Sequence, residues 1–210
     1  MERFSDDFYK KCNEQRIYFL KKKWGSDYFK SKTVLDLGGG VGYISNELSK
    51  LGADCTVYEG REENINIGKN KFPHIKFIKV DLEDQIPIDK FDIVLNFGVF
   101  YHLKNPENFL IKTSSLFNDI MLLDGNISTN GSRYQMDNPD DYDQSIHGEI
   151  KLVTDDDISS LFKDFKIENA NIELNEIGEI TGSPYDYVNG CDFLSDNNMK
   201  RTFWIIENIT

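Results

Sequence analysis

Positive charge is what this chain has too little of: 24 lysines and arginines stand against 36 aspartates and glutamates, a formal balance of −12. Phosphate contacts need Lys and Arg in excess, so the balance argues against a general nucleic-acid binder and disfavours tRNA as a partner. The one local exception is Lys10 and Lys11 with Lys21, Lys22 and Lys23, a run that on a helix reads as a solvated face. Cysteine is scarce as well. Cys12, Cys55 and Cys191 stand far apart with no C-x-x-C pair, which argues against a zinc site or a disulfide framework and for reduced thiols in a cytoplasmic protein. No run of about 18 apolar residues exists, so no membrane-spanning helix is expected. The first residues, with Glu2, Arg3, Asp6 and Asp7, do not resemble a secretory leader. There is no G-x-x-x-x-G-K and no G-x-S-x-G, so P-loop and serine-hydrolase chemistry fall away. No metal-ligand spacing stands out either. Asp137, Asp140, Asp141 and Asp143 form an acidic run of the kind that usually faces water.

What is present centres on Thr33-Val34-Leu35-Asp36-Leu37-Gly38-Gly39-Gly40-Val41-Gly42-Tyr43. An apolar run broken only by an Asp, then glycines, then Val41, Ile44, Leu48 and Leu51 at helical spacing predict a buried strand, a tight turn and a helix. A plain βα turn would look similar. A dinucleotide fingerprint would need Gly or Ala at position 43, which is Tyr. The spacing that fits is D-x-G-x-G-x-G, from Asp36 through Gly38 and Gly40 to Gly42. A second strand, Cys55–Glu59, ends in an acid followed by Gly60, and an acid there can accept both hydroxyls of a ribose. A third strand, Ile75–Val80, closes on Asp81-Leu82. A fourth, Phe91–Gly98, runs into Val99-Phe100-Tyr101-His102-Leu103, and Asn105-Pro106 then opens a helix.

In this order and spacing the four stretches resemble the class I S-adenosylmethionine-dependent methyltransferases, a Rossmann-like family. The resemblance implies an α/β fold: a seven-stranded doubly wound sheet of order 3-2-1-4-5-7-6, strand 7 antiparallel, with helices on both faces. It implies S-adenosyl-L-methionine as cofactor, with Gly38, Gly40 and Gly42 at its backbone and Asp36 at the strand tip. Glu59 and Gly60 would take the ribose, Asp81 and the N–H of Leu82 the adenine, and Asn96 and Phe97 the methionine part. Tyr43 and Asp81 count against a nicotinamide dehydrogenase.

The remaining elements are a helix over 6–24, a helix over 106–117, a strand over 119–124, a capped helix over 154–165, and strands near 166–175 and 202–208. The whole chain, 1–210, reads as one domain with residues 1–30 as a helical lid, on which Tyr9, Arg16 and Tyr18 are contact candidates. Residues 125–150 and 181–199 lack periodicity and are expected to be substrate-facing insertions. For a proton on the acceptor, His102 is the first candidate base, with Tyr101 beside it and His147 in the insertion. An Asn-Pro-Pro-Tyr tetrapeptide is missing at the fourth motif, where Asn96-Phe97-Gly98-Val99 stands, and this argues against DNA. The expected activity is methyl transfer to oxygen or nitrogen of a small-molecule substrate. The alternatives are a tRNA- or protein-modifying enzyme and a non-catalytic cofactor-binding subunit.

Overall fold

Strand β1 (Thr33–Leu37) is buried from its second residue onward, because parallel neighbours lie on either side and helices cover both faces. β2 (Asp54–Glu59) pairs with it in the register Leu35↔Thr56, and β4 (Phe91–Phe97) in the register Leu35↔Val94. With β3 (Lys76–Lys79), β5 (Phe117–Ser128), β8 (Lys166–Asn169) and β9 (Met199–Glu207) these form one sheet of order β3-β2-β1-β4-β5-β9-β8. β9 runs antiparallel to both of its neighbours. Counting strands within this sheet alone, that is the expected order 3-2-1-4-5-7-6. The computed structural model describes residues 7–130, 135–137, 149–170 and 198–209.

Alternation along the strands divides the core in two. Leu35, Leu37, Val94, Met121 and Leu123 face α4 (Pro106–Thr113) and α5 (Asp155–Leu161), packing with Phe109, Leu110 and Ile158. Val34, Ile93, Leu95, Leu122 and Phe203 face the opposite way, onto α1 (Asp7–Trp24), α2 (Tyr43–Ser49) and α3 (Glu62–Lys71) through Leu20, Leu48 and Ile65. The period of two therefore decides which side chains near this edge of the sheet look toward α1: Asp36, Phe97, Asp124 and Arg201 share the parity of that second set.

The helices end where their local chemistry stops them. Asn105 caps α4 through its side-chain oxygen, with Pro106 at the first helical position. At α5 the Thr154 hydroxyl accepts from the Asp157 N–H at 3.1 Å, and the Asp157 carboxylate accepts from the Thr154 N–H at 3.0 Å. This reciprocal cap satisfies two otherwise orphaned donors. Thr154→Ala is expected to destabilise the fold by about 1 kcal/mol, read as a shifted urea midpoint with unchanged slope.

The segment 125–150 departs from expectation. Gly125 to Ser128 continue β5, because β9 is nine residues long and offers them a ladder, from Gly125↔Thr202 to Ser128↔Met199. Gly and Asn are poor strand formers, and here pairing overrides propensity. β6 (Gln135–Asp137) and β7 (Glu149–Lys151) then form a small antiparallel sheet of their own. Residues 131–134 and 138–148, with Tyr134, Tyr142 and His147, lie outside the described residues, as do 171–197 with Tyr185 and Tyr187. Among the described residues no helix is long and apolar enough to cross a membrane.

Candidate active site

The tips of β1, β2 and β4 meet at one edge of the sheet, where Leu37 stands level with Tyr58 on one side and Asn96 on the other. The chain leaves β1 through glycines with positive φ: +63° at Gly38, +58° at Gly40 and +79° at Gly42. Glycine takes this conformation without the steric strain that a Cβ brings. Space adds a second reason at Gly38, where a Cβ would lie 1.9 Å from Cγ2 of Val99 in the loop after β4.

Two carboxylates support this turn. Asp36 is 3% exposed, its Oδ2 accepts from the Ser45 hydroxyl at 2.7 Å, and a Cβ on Gly39 would lie 2.6 Å from that same oxygen. Glu59, at the tip of β2, accepts from the Gly40 N–H at 2.9 Å and the Arg61 N–H at 2.8 Å, so it ties the glycine turn to the neighbouring strand. Gly60 follows, half-buried. Asp81 sits half-buried past the end of β3 and accepts from the Glu83 N–H at 3.0 Å, with Leu82 buried beside it. Three acids thus stand at three adjacent strand tips.

Burial pushes the Asp36 carboxyl up to about 6; the Ser45 hydrogen bond and the Arg16 charge pull it down, and Glu59 pushes it up. Between about pH 4 and 6 the folded protein keeps a proton here that the unfolded chain has released. Stability from this group is therefore present at the acid end, falls as pH rises through that window and is level above it, a change on the order of 3 kcal/mol. Urea denaturation across pH should show that slope in the wild type and a flatter profile in Asp36→Asn.

On the opposite parity, Asn96 is 0% exposed, and neither atom of its side-chain amide has a hydrogen-bond partner. A buried unsatisfied amide is costly unless a ligand or water meets it. Phe97, one residue on, faces α1, where the Arg16 guanidinium lies 5.0 Å from the centre of its ring. Gly98 has φ +73°, and a Cβ there would come within 3.3 Å of Arg201 Nη2 and 3.6 Å of Tyr101 Oη, so the backbone leaves room for both. Tyr101 is buried, with its hydroxyl on Arg201, and burial raises its pKa while Arg201 opposes. His102 is half-buried in the same short turn, its ring 4.2 Å from that of Tyr101.

Sequence reasoning missed a buried charge cluster beside these tips. Asp124, inside β5 and level with Phe97 at the tip of β4, accepts from Arg201 Nε at 2.8 Å and Nη2 at 3.1 Å, and it also pairs with Arg16 of α1. Arg16 donates in addition to Asn13 Oδ1 at 2.8 Å. Arg16 was legible as a lid contact; the usable signal for the rest was a polar triad, Asn13, Gln15 and Arg16, on the buried side of an otherwise amphipathic helix. Ser45, likewise missed, carries no motif. Of the other lid candidates, Tyr18 is exposed, and the side chain of Tyr9 lies outside the described residues. Among the described residues no three His, Cys, Asp or Glu side chains gather as metal ligands.

Residues 9–170 match the family model described as a methyltransferase domain. The chain belongs to that family. Its sheet order is that of the class I S-adenosylmethionine-dependent methyltransferases. Among curated relatives, a tRNA U34 carboxymethyltransferase of Pasteurella multocida is 28% identical over 132 residues, which cover 51% of this chain and 41% of that protein. A ubiquinone biosynthesis O-methyltransferase of Pelagibacter ubique is 27% identical over 126 residues, covering 53% of this chain and 52% of that protein. The chain thus matches about half the length of these relatives. In fold it is similar to the N-terminal domain of EvdMO1, crystallised with SAH and D-fucose, at TM-score 0.69 and 13% identity over 97% of this chain and 84% of that one. It is also similar to magnesium protoporphyrin IX methyltransferase of Synechocystis PCC 6803 with bound SAM, at TM-score 0.65 and 15% identity over 98% and 87%.

These findings correct one expectation. The net charge disfavoured tRNA, yet a tRNA-modifying enzyme is among the methyltransferase relatives. Net charge sums the whole chain, whereas phosphate contact depends on a local face, and Lys10, Lys21 and Lys22 of α1 are exposed. The donor chemistry fits the residues present: a turn whose side-chain-free backbone a ligand can approach, and an unpartnered buried amide at Asn96.

Proposed function

We propose that this methyltransferase domain moves the methyl group of S-adenosyl-L-methionine to oxygen or nitrogen of a small-molecule acceptor. When bound, the cofactor supplies an electrophilic methyl carbon on a sulfonium. The buried, unpartnered amide of Asn96 at the tip of β4 carries this reading, because it gives a polar ligand a reason to lie across the glycine turn. In it, Gly38, Gly40 and Gly42 give the ligand close access to backbone, with Asp36 as an anion beneath. Glu59 and Gly60 hold the ribose, Asp81 and the Leu82 N–H the adenine, and Asn96 and Phe97 the amino-acid end. Helix α1 acts as a lid, and Arg16 fixes it over Phe97 and Asp124.

The chain's own contribution to rate is placement: holding the nucleophile in line with the methyl carbon is worth about 7 kcal/mol in good cases. An acceptor of high pKa also needs a base, and His102 takes its proton on an imidazole nitrogen, with Tyr101 as its neighbour shaping the pocket and His147 as a further candidate. The buried free thiol of Cys55 suits a cytoplasmic setting.

A second reading, with tRNA as acceptor, draws on the carboxymethyltransferase relatives and the exposed lysines of α1. Both are tested by incubating the chain with methyl-labelled cofactor and a cell extract separated into tRNA and small-molecule fractions. Label in the small-molecule fraction supports the first reading and label in tRNA the second; label in neither contradicts both.

A further inference from the structure

Ser45 has no part in the roles above, yet it makes one of the most buried polar contacts at the crevice. It lies in the first turn of α2, 0% exposed, and its hydroxyl meets Asp36 Oδ2 at 2.7 Å. That oxygen is the one a Cβ on Gly39 would strike. The loop backbone therefore rests on the oxygen that Ser45 holds. With Oδ2 released, the carboxyl is free to turn about its last torsion, which is broad for Asp, and the support under Gly39 moves with it.

Charged and titratable groups face Asp36 from two other elements: Arg16 from α1, and Glu59 and Cys55 from β2. Arg16 favours the anion, and Glu59 opposes it, as does burial. The hydroxyl adds to the favourable side as a direct hydrogen bond, which a carboxylate accepts more strongly than a neutral acid does.

We infer that Ser45 is a positioning residue for the cofactor: it pins the Asp36 carboxylate under Gly39 and keeps it ionised, so that an open loop and a buried anion together meet the cationic end of the ligand. The inference rests on the crevice being the S-adenosylmethionine site. Its test is calorimetric titration with S-adenosylhomocysteine between about pH 5 and 8, where Asp36 titrates. The proteins compared are wild type, Ser45→Ala, Ser45→Thr and Asp36→Asn.

Wild-type affinity should rise with pH and level off once Asp36 is ionised. Ser45→Ala should bind about tenfold more weakly near neutrality, with the midpoint of the pH profile displaced upward. Ser45→Thr, which keeps the hydroxyl, should restore the wild-type midpoint. Asp36→Asn should flatten the profile, and adding Ser45→Ala to it should change nothing further. A merely structural serine would lower the melting temperature and leave the midpoint in place. If Ser45→Ala melts below the assay temperature, Ser45→Cys, a weaker donor of similar shape, is expected to show the same upward displacement. Wild-type affinity and an unmoved midpoint in the donor-weakened variant overturn the inference alone. Absence of binding by the wild type overturns the proposed function and the inference with it.

Discussion

Gly38→Ala should destabilise the protein by about 2–5 kcal/mol, of which about 1–2 comes from the left-handed backbone and the rest from overpacking. The left-handed part follows from φ +63°; the packing part follows from the 1.9 Å that would separate the new Cβ from Val99 Cγ2. Gly25→Ala is a control with backbone strain but no overpacking, since Gly25 has φ +77° and ψ 159° with nothing within 4 Å of a new Cβ. Its urea midpoint should move by the smaller amount only. Adding Val99→Ala to Gly38→Ala removes Cγ2 and should recover part of the loss. Equal effects at the two glycines would mean that the approach of the β4 loop to the glycine turn is looser than described.

Asp124→Ala should cost about 3–5 kcal/mol, the usual consequence of removing one partner from a buried charge cluster. Arg16 and Arg201 both direct guanidinium nitrogens at this carboxylate, and all three side chains are at least 96% buried. Because Arg16 belongs to α1 and Arg201 to β9, the loss should also loosen the helix from the strand tips. Hydrogen exchange in the middle turns of α1 should rise more than in α4, which does not touch the cluster. The exposed Lys166–Glu207 pair is the control, and Lys166→Ala should change stability by less than about 1 kcal/mol. A small effect of Asp124→Ala would make α1 a helix that merely packs on the sheet.

The contrast between Gly38 and Asp124 shows what a reader of the chain can and cannot see. Gly38 belongs to a local pattern: strand, acid and glycines follow one another, and their spacing alone places a turn that needs positive φ. The same holds for Asp36, Glu59 and Asp81, each the last acid of a short apolar run, and the sheet order followed from the resemblance those runs carry. Asp124 belongs to no such pattern. Its partners lie 108 and 77 residues away, on the first helix and the last strand. Nothing in a linear reading brings them together until the sheet order sets β9 against β5. The continuation of β5 through Gly125-Asn126-Ile127-Ser128 was hidden for the same reason, since those residues are extended because β9 pairs with them. Ser45 was hidden differently, as a small polar residue on a helix face whose partner is a buried acid nine residues earlier. The charge argument against tRNA failed because a sum over the chain says little about one helix face.

On this reading three acids at adjacent strand tips and a glycine-rich turn form a site for an S-adenosyl donor. Titrating the purified chain with S-adenosylhomocysteine, and in parallel with NAD, tests it most directly. Saturable one-to-one binding of the first and no binding of the second is the predicted result. Binding of NAD in its place, or heat from neither ligand, would contradict it.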